Sequence, residues 1–365
     1  MASPNPLTRT TPLVHLPLIV LSTLFALPLL WLLLTAVQPR EQVGKIPPEW
    51  LPRQYYAKVG GESVVVTPPV PAGPGKVMVK EWFLSKYAGR EPRVFYLDPS
   101  AVERKISPVL GNYPEAIRAL TASEKDKARP IAELLGHSAL PWTPKSDRDK
   151  TITFVTYLSN TLLVALLSVI GTLSSSSLVA YGLSRIQWRG RATLFSVTLA
   201  TMMVPFPVLM VPLYGVFRSL GWIGTLLPLW VPSFFGSAFN IFLLRQFFLT
   251  IPSELSDAAR IDGCSEFAIF WRVILPLSRP ALSVVALFTF LNAWNEFLAP
   301  LIFLTEPQTF TMALGLQQYQ SGFGGSEWHL LMAASALLVL PIVALFFFAQ
   351  KTFIQGISTT GMGGR

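Results

Sequence analysis

The chain has 365 residues, of which 51% are hydrophobic and only 13% charged, and it carries a formal net charge of +9. Charged residues make up about a quarter of an ordinary soluble domain, so most of this chain must be buried in something other than its own core. A single cysteine, Cys264, excludes an intramolecular disulfide framework and a multi-cysteine metal site, and three unclustered histidines (His15, His137, His329) argue against a His-ligated metal.

About 20 apolar residues in a helix cross roughly 30 Å of hydrocarbon. Six stretches reach that length, at 13–37, 157–183, 192–217, 219–244, 280–305 and 328–350, and only the fifth holds a formal charge, Glu296. The first is too long for a signal peptide and lacks a small-residue cleavage pattern, so it reads as a retained helix. Residues 38–150 follow, with 18 basic and 13 acidic residues. Prolines at 46–52 and a Pro/Gly cluster at 68–75 mark turns there. Stretches 62–66 and 77–82 read as short strands, and 113–120 and 127–135 as helices. This is a small extracytoplasmic domain or a loop, with partial disorder as the alternative. In the second span, Gly171 and Ser174 to Ser177 offer small surfaces for close helix contact. In the third, Pro205, Pro207 and Pro212 predict a bend.

Basic residues set the orientation, because cytoplasmic connections carry the Lys/Arg excess. Arg9, Arg185, Arg189, Arg191, Arg245, Arg260, Arg272, Arg279, Lys351 and Arg365 fall on one side, and only Arg218 on the short connections opposite. Both termini are therefore expected in the cytoplasm, and the positive charge marks membrane topology, with no nucleic acid implied.

Between the fourth and fifth spans, residues 250–278 read as two short helices. Ser253 and Ser265 suit N-caps, Gly263 a left-handed C-terminal turn, and Pro276 a stop. Phe267, Phe270, Trp271 and Ile274 recur at helical spacing as one apolar stripe. Periodicity alone favours an amphipathic linker at the membrane surface. The spacing is more specific: Asp257-Ala258-Ala259, three residues, Gly263, nine residues, then Val273, Leu275 and Pro276. It resembles the cytoplasmic coupling signature of binding-protein-dependent ABC importer permeases, usually EAA, three residues, G, nine residues, I-x-L-P. Asp257 stands for the usual Glu and Val273 for the usual Ile.

The resemblance covers about 151–365 and the first span, in the manner of maltose-type carbohydrate permeases. Residues 243–248, 292–302, 311–320 and 355–361 carry it beyond the hairpin. It implies an all-α polytopic membrane protein with six transmembrane helices and a large extracytoplasmic insertion between the first two. Its parts are the N-terminus and first helix (1–37), the insertion (38–150), the permease core with its coupling hairpin (151–354) and a C-terminal tail (355–365). The resemblance implies that Asp257, Ala258, Ala259, Gly263, Leu275 and Pro276 couple the chain to an ATPase. It gives Gln317, Gln318 and Tyr319 contact with a solute-binding protein, and Ser358, Thr359 and Gly361 a tail contact with the ATPase. Expected partners are a second homologous permease, a homodimeric ATP-binding subunit holding ATP and Mg, an extracytoplasmic solute-binding protein and lipid of a prokaryotic inner membrane. No cofactor is expected on this chain.

Polar residues inside a span usually face a bundle interior or a water-filled path. Counting from Pro280, Asn292 lies about 18 Å and Glu296 about 24 Å into the hydrocarbon. With Trp294 and Asn295 they suit a sugar path, amides and a carboxylate meeting hydroxyls beside an aromatic body. Interhelical hydrogen bonding is the equal alternative. A membrane enzyme lacks paired groups at depth, since Glu296 is the sole carboxylate there. A stand-alone channel or secondary transporter would leave the hairpin unused. The chain has no phosphate-binding G-x-x-x-x-G-K-[ST] run with which to hydrolyse ATP. Polyols, glycerol phosphate and oligopeptides are the alternative cargoes.

Overall fold

The computed structural model describes residues 11–82, 91–121, 138, 140, 152–319 and 327–360; for 11–14, 318, 348–349 and 351–360 it describes the backbone alone. The chain divides into two units, Met1–Ala119 with Tyr319–Val339 and Leu120–Gln318 with Leu340–Arg365.

The first unit opens with α1 (Thr11–Ala36). Its segment His15–Ala36 has a mean hydropathy of 2.4, and large side chains such as Leu24 and Phe25 project outward. A helix that is apolar on all sides and leaves them uncovered needs lipid or another helix around it. After it, among the described residues, come six strands: β1 (Arg53–Val59), β2 (Glu62–Val66), β3 (Val70–Gly73), β4 (Lys76–Lys80), β5 (Val94–Leu97) and β6 (Val102–Ile106). They form two antiparallel sheets, ordered β2-β1-β6 and β3-β4-β5. Gly60 and Gly61 both have positive φ, +61° and +90°, as a two-residue turn between Val59 and Glu62 requires. Ala57, Val66 and Val79 form the buried centre, flanked by Tyr55, Phe95 and Leu97.

The strands expected at 62–66 and 77–82 are β2 and β4, and the helix expected at 113–120 is α2 (Asn112–Ala119). The stretch 127–135 lies outside the described residues. The all-α expectation is corrected here, since short valine-rich runs, too brief to span a membrane, build sheets in this region. The sheets are tied to the end of α1, whose last carbonyls have no helical partner. Asn112 Nδ2 donates to Ala36 O (2.9 Å) and Gln38 O (2.8 Å). Gln42 bridges onward, donating to Leu51 O (2.6 Å) and accepting from Arg53 N (2.9 Å).

In the second unit every named element is a helix. α3 (Phe154–Ser184) starts at Thr153, whose Oγ1 accepts from Val155 N while Thr156 Oγ1 accepts from Thr153 N. The small face of α3 receives a 3-10 turn, Val231–Phe235. There Ser175 donates to Ser233 O (2.9 Å), Ser176 Oγ accepts from Ser237 N (3.2 Å), and a Cβ on Gly171 would lie 2.5 Å from the Phe234 ring. α4 (Arg191–Thr201) and α5 (Phe206–Ser219) meet at 98° across Pro205, where a bend was expected. α6 (Leu227–Trp230) and α7 (Ala238–Thr250) flank the 3-10 turn.

α8 (Ser253–Ile261) and α9 (Glu266–Leu277) form the hairpin, and α10 (Arg279–Asn295) leaves α9 at 80°. α11 (Leu298–Phe303), α12 (Met312–Gly315) and α13 (Trp328–Thr360) complete the unit's helices, α13 running through both units. The fifth apolar stretch is thus broken at Glu296, where ψ is 122°. Among the described residues four helical segments, His15–Ala36, Phe154–Ser184, Leu227–Thr250 and Trp328–Phe347, are long and apolar enough to cross a membrane, or up to six if each bent pair is one span.

Candidate functional site

The hairpin is built on its own backbone chemistry. α8 ends in paired bonds, Gly263 N to Arg260 O (3.0 Å) and Cys264 N to Ala259 O (2.9 Å). That pairing is the Schellman arrangement, and it needs the left-handed residue that Gly263 supplies at φ +81°. Ser265 caps α9, its Oγ accepting from Ala268 N (3.3 Å). α8 begins on Ser253 with no side-chain cap, so the cap expected from Ser253 is absent.

Pro276 does not stop α9. The ring would collide with the carbonyl of Arg272 in a regular helix and offers that carbonyl no N–H. Residues Phe270–Ile274 adopt a π-turn instead, with Leu275 N donating to Phe270 O, and the helix runs on to Leu277. This wider turn also divides the apolar stripe. Ile269, Phe270 and Ile274 join the core with Tyr181, Leu244 and Phe248, while Phe267 and Trp271 stand 66% and 63% exposed. Their rings stack 6.5 Å apart on the outer surface.

Charged groups run from the tip to the membrane helix. Arg260 Nη1 donates to Asp257 Oδ1 (2.7 Å), and its Nε donates to Glu266 Oε1 (2.7 Å). Tyr181 of α3 donates its hydroxyl to Glu266 Oε2 (2.6 Å). The hydrogen bond that Arg260 donates to Glu266, aided by Asp257, holds its guanidinium above the usual arginine value. Asp257, Ala258 and Gly263 are exposed, Ala259 and Leu275 half-buried against the core, and Pro276 exposed. No local signal marks the Tyr181 link, which spans 85 positions.

A second site lies in the helix bundle. A cavity of about 310 Å³ is walled by Phe206, Phe217, Pro228 and Phe303 and bordered by Ser168, Thr289, Asn292, Glu296 and Thr311. Of the four residues expected along a path, it brings Asn292 and Glu296 together and leaves out the other two. Trp294 is fully buried and stacked on Phe290 at 5.3 Å. Asn295 donates back to Leu291 O (2.8 Å). Glu296 Oε1 accepts from Leu298 N (2.9 Å) and Ala299 N (3.1 Å), capping α11. Thr289, Asn292 and Glu296 fall at i, i+3 and i+7, a spacing that marks Thr289 as their neighbour on one helix face.

Elsewhere, Gln317 is exposed, and Tyr319 is buried with its hydroxyl donating to Ala116 O (2.6 Å), so Tyr319 turns toward α2. The side chains of Gln318, Ser358 and Thr359, and all of Gly361, lie outside the described residues.

Residues 172–359 match the family described as the binding-protein-dependent transport system inner membrane component. The arabinooligosaccharides transport system permease protein of Halalkalibacterium halodurans is 36% identical over 209 residues, covering 57% of this chain and 74% of that protein. The trehalose/maltose transport system permease protein of Thermococcus litoralis is 34% identical over 217 residues, covering 59% and 78%. A bacterial ABC transporter chain involved in the import of the acidic polysaccharide alginate shares the fold, with a TM-score of 0.61 at 19% identity over 97% of this chain and 100% of that one. By class the chain is a multi-pass inner-membrane permease subunit, not an enzyme. It belongs to the binding-protein-dependent transport system inner membrane component family, and its hairpin lies within the matched segment.

Proposed function

We propose that this chain is one of two permease subunits of an ATP-driven sugar importer, forming half of the translocation path and coupling it to a separate ATPase. Each bent helix pair counts as one span, giving six, with both termini and the hairpin in the cytoplasm and the β-domain outside. The hairpin is the observation that carries the reading. Its tip offers carboxylates at Glu254, Asp257 and Asp262 beside the exposed apolar surfaces of Ile261, Phe267 and Trp271. Such a tip suits a groove with an apolar floor and a basic rim.

ATP and Mg belong to the homodimeric partner, whose closure moves the hairpin and through it α3 and α10. Asn292 and Glu296 border the path, Gln317 is the exposed member of the loop facing a solute-binding protein, and Ser358, Thr359 and Gly361 lie in the tail that reaches the ATPase. Carbohydrate as the cargo is supported by the named cargoes of the relatives. A polyol, glycerol phosphate or oligopeptide is the alternative.

The test is purification of the tagged chain, then reconstitution of whatever assembly is recovered. The proposal expects a second permease and an ATPase to co-purify and to accumulate sugar in liposomes only with ATP and the binding protein. Solute movement by the chain alone contradicts it.

A further inference from the structure

We infer that the arginines gathered where α3 ends, α4 begins and α7 ends bind the phosphodiester headgroup of an anionic phospholipid. α3 closes at Ser184, and its last carbonyls lack helical partners. Side chains meet them instead. Trp188 Nε1 donates to Gly182 O (3.0 Å), Arg245 Nε to Leu183 O (3.1 Å), and Arg191 Nη1 to Ser184 O (3.4 Å) and Ile186 O (3.2 Å). Bonds to successive carbonyls bring the Arg191 and Arg245 guanidiniums to one helix end, and Arg189 stands exposed two positions before Arg191.

Capping α3 leaves most of this charge unmatched. A helix C-terminus presents about half a negative charge, against three positive ones here. Among the described residues none of these three arginines has a carboxylate partner, whereas Arg260 in the hairpin has two. A guanidinium carries several N–H groups. Arg245 commits only Nε and Arg191 only Nη1, and Arg189 makes no hydrogen bond among the described residues. Arg245 is fixed in place as well: its Cζ lies 4.1 Å from the centroid of the Phe195 ring, which stacks on Phe242 at 6.4 Å. A planar fork held by stacking, with its outer N–H groups unused, matches a pair of phosphate oxygens.

The surroundings name the anion. Leu194 follows Arg191 by three positions on α4, and Phe242 precedes Arg245 by three on α7, so each arginine shares a helix face with an exposed apolar side chain one turn deeper in its span. By helix rise Arg245 lies about 7.5 Å short of the end of α7, a distance its long side chain covers to reach the surface. Trp188, exposed beside them, is of a type that settles at the membrane–water boundary. An acyl chain covers Leu194 and Phe242 while the phosphate meets the arginines; a free anion leaves that apolar surface bare. A zwitterionic lipid sets a cation of its own against three others, so a headgroup of net negative charge is the one that fits.

The full chain, with whatever subunits accompany it, is reconstituted in vesicles of equal phosphatidylglycerol and phosphatidylcholine and released for native mass spectrometry. Phosphatidylglycerol should be retained in preference to phosphatidylcholine. One arginine beside an anionic headgroup changes affinity roughly fivefold, so Arg189→Gln, which breaks no bond, and Arg191→Gln should each lower that retention by about this factor. Arg218→Gln, in the last turn of α5 and away from the cluster, should leave it unchanged. In detergent, added phosphatidylglycerol should raise the unfolding temperature and inorganic phosphate should not. Equal retention of the two lipids, retention unchanged in both cluster variants, or an equal loss in Arg218→Gln would overturn the site. An equal thermal shift with inorganic phosphate would overturn it too, in favour of a free anion. Neither cargo nor ATP enters these measurements, so their outcome is separate from the importer reading.

Discussion

Gly263 and Asp257 hold the sharpest consequences of single side chains. Gly263 lies at φ +81° with open space where a Cβ would go, so a side chain there meets no neighbour and strains only the backbone. Gly263→Val should cost about 1–2 kcal/mol of local hairpin stability, read as faster amide exchange in α8 with the membrane helices unchanged. Asp257 is 60% exposed and bonded to Arg260. Asp257→Arg removes that bond and reverses the charge at the tip, so membrane insertion should be normal and ATPase retention on purification should fall severalfold. Gly263 and Ser265 were legible because caps and left-handed turns are local chemistry. The burial of Trp294 was not, since a tryptophan beside polar residues in an apolar run carries no mark of which neighbour covers it.

For whole elements, the link from α8 through Arg260 and Glu266 to Tyr181 ties α3 to the hairpin, and under the proposed function α3 would move with it. Tyr181→Phe deletes one hydrogen bond to a charged group, worth about 1.5–3 kcal/mol, and keeps the ring that packs on Phe270 at 5.2 Å. Sugar transported per ATP should drop several-fold while ATP hydrolysis and assembly persist; an unchanged ratio would remove Tyr181 from the transmission. The contact of α3 with the 3-10 turn is stricter. Gly171→Val would drive a branched side chain into the Phe234 ring, costing about 1–3 kcal/mol, seen as a lower unfolding temperature in detergent. The small residues of α3 announced close packing in the sequence, but not its partner, because the 3-10 turn lies about 60 positions away and sheds helical periodicity. The π-turn was equally hidden: Pro276 signals an interruption, and only packing decides whether the helix stops or widens.

Across the molecule, hydropathy located the apolar stretches because the length needed to cross a bilayer is fixed by helix rise, although the fourth, expected at 219–244, lies at Leu227–Thr250. Hydropathy alone did not register the two breaks; Pro205, Pro207 and Pro212 marked the first as a bend, and Glu296, the one charge in the fifth stretch, falls at the second. The β-domain was half legible: β2 and β4 carry short valine-rich runs, whereas β1, β5 and β6 gain their meaning from pairing across tens of residues. The account as a whole depends on the hairpin facing the ATP-bearing side, and Cys264, the chain's single and half-buried cysteine, sits at its turn. A membrane-impermeant maleimide applied to inverted and right-side-out vesicles is the most direct test. Labelling in inverted vesicles alone, suppressed by bound ATPase, is the expected result; labelling from the outer face would contradict the account.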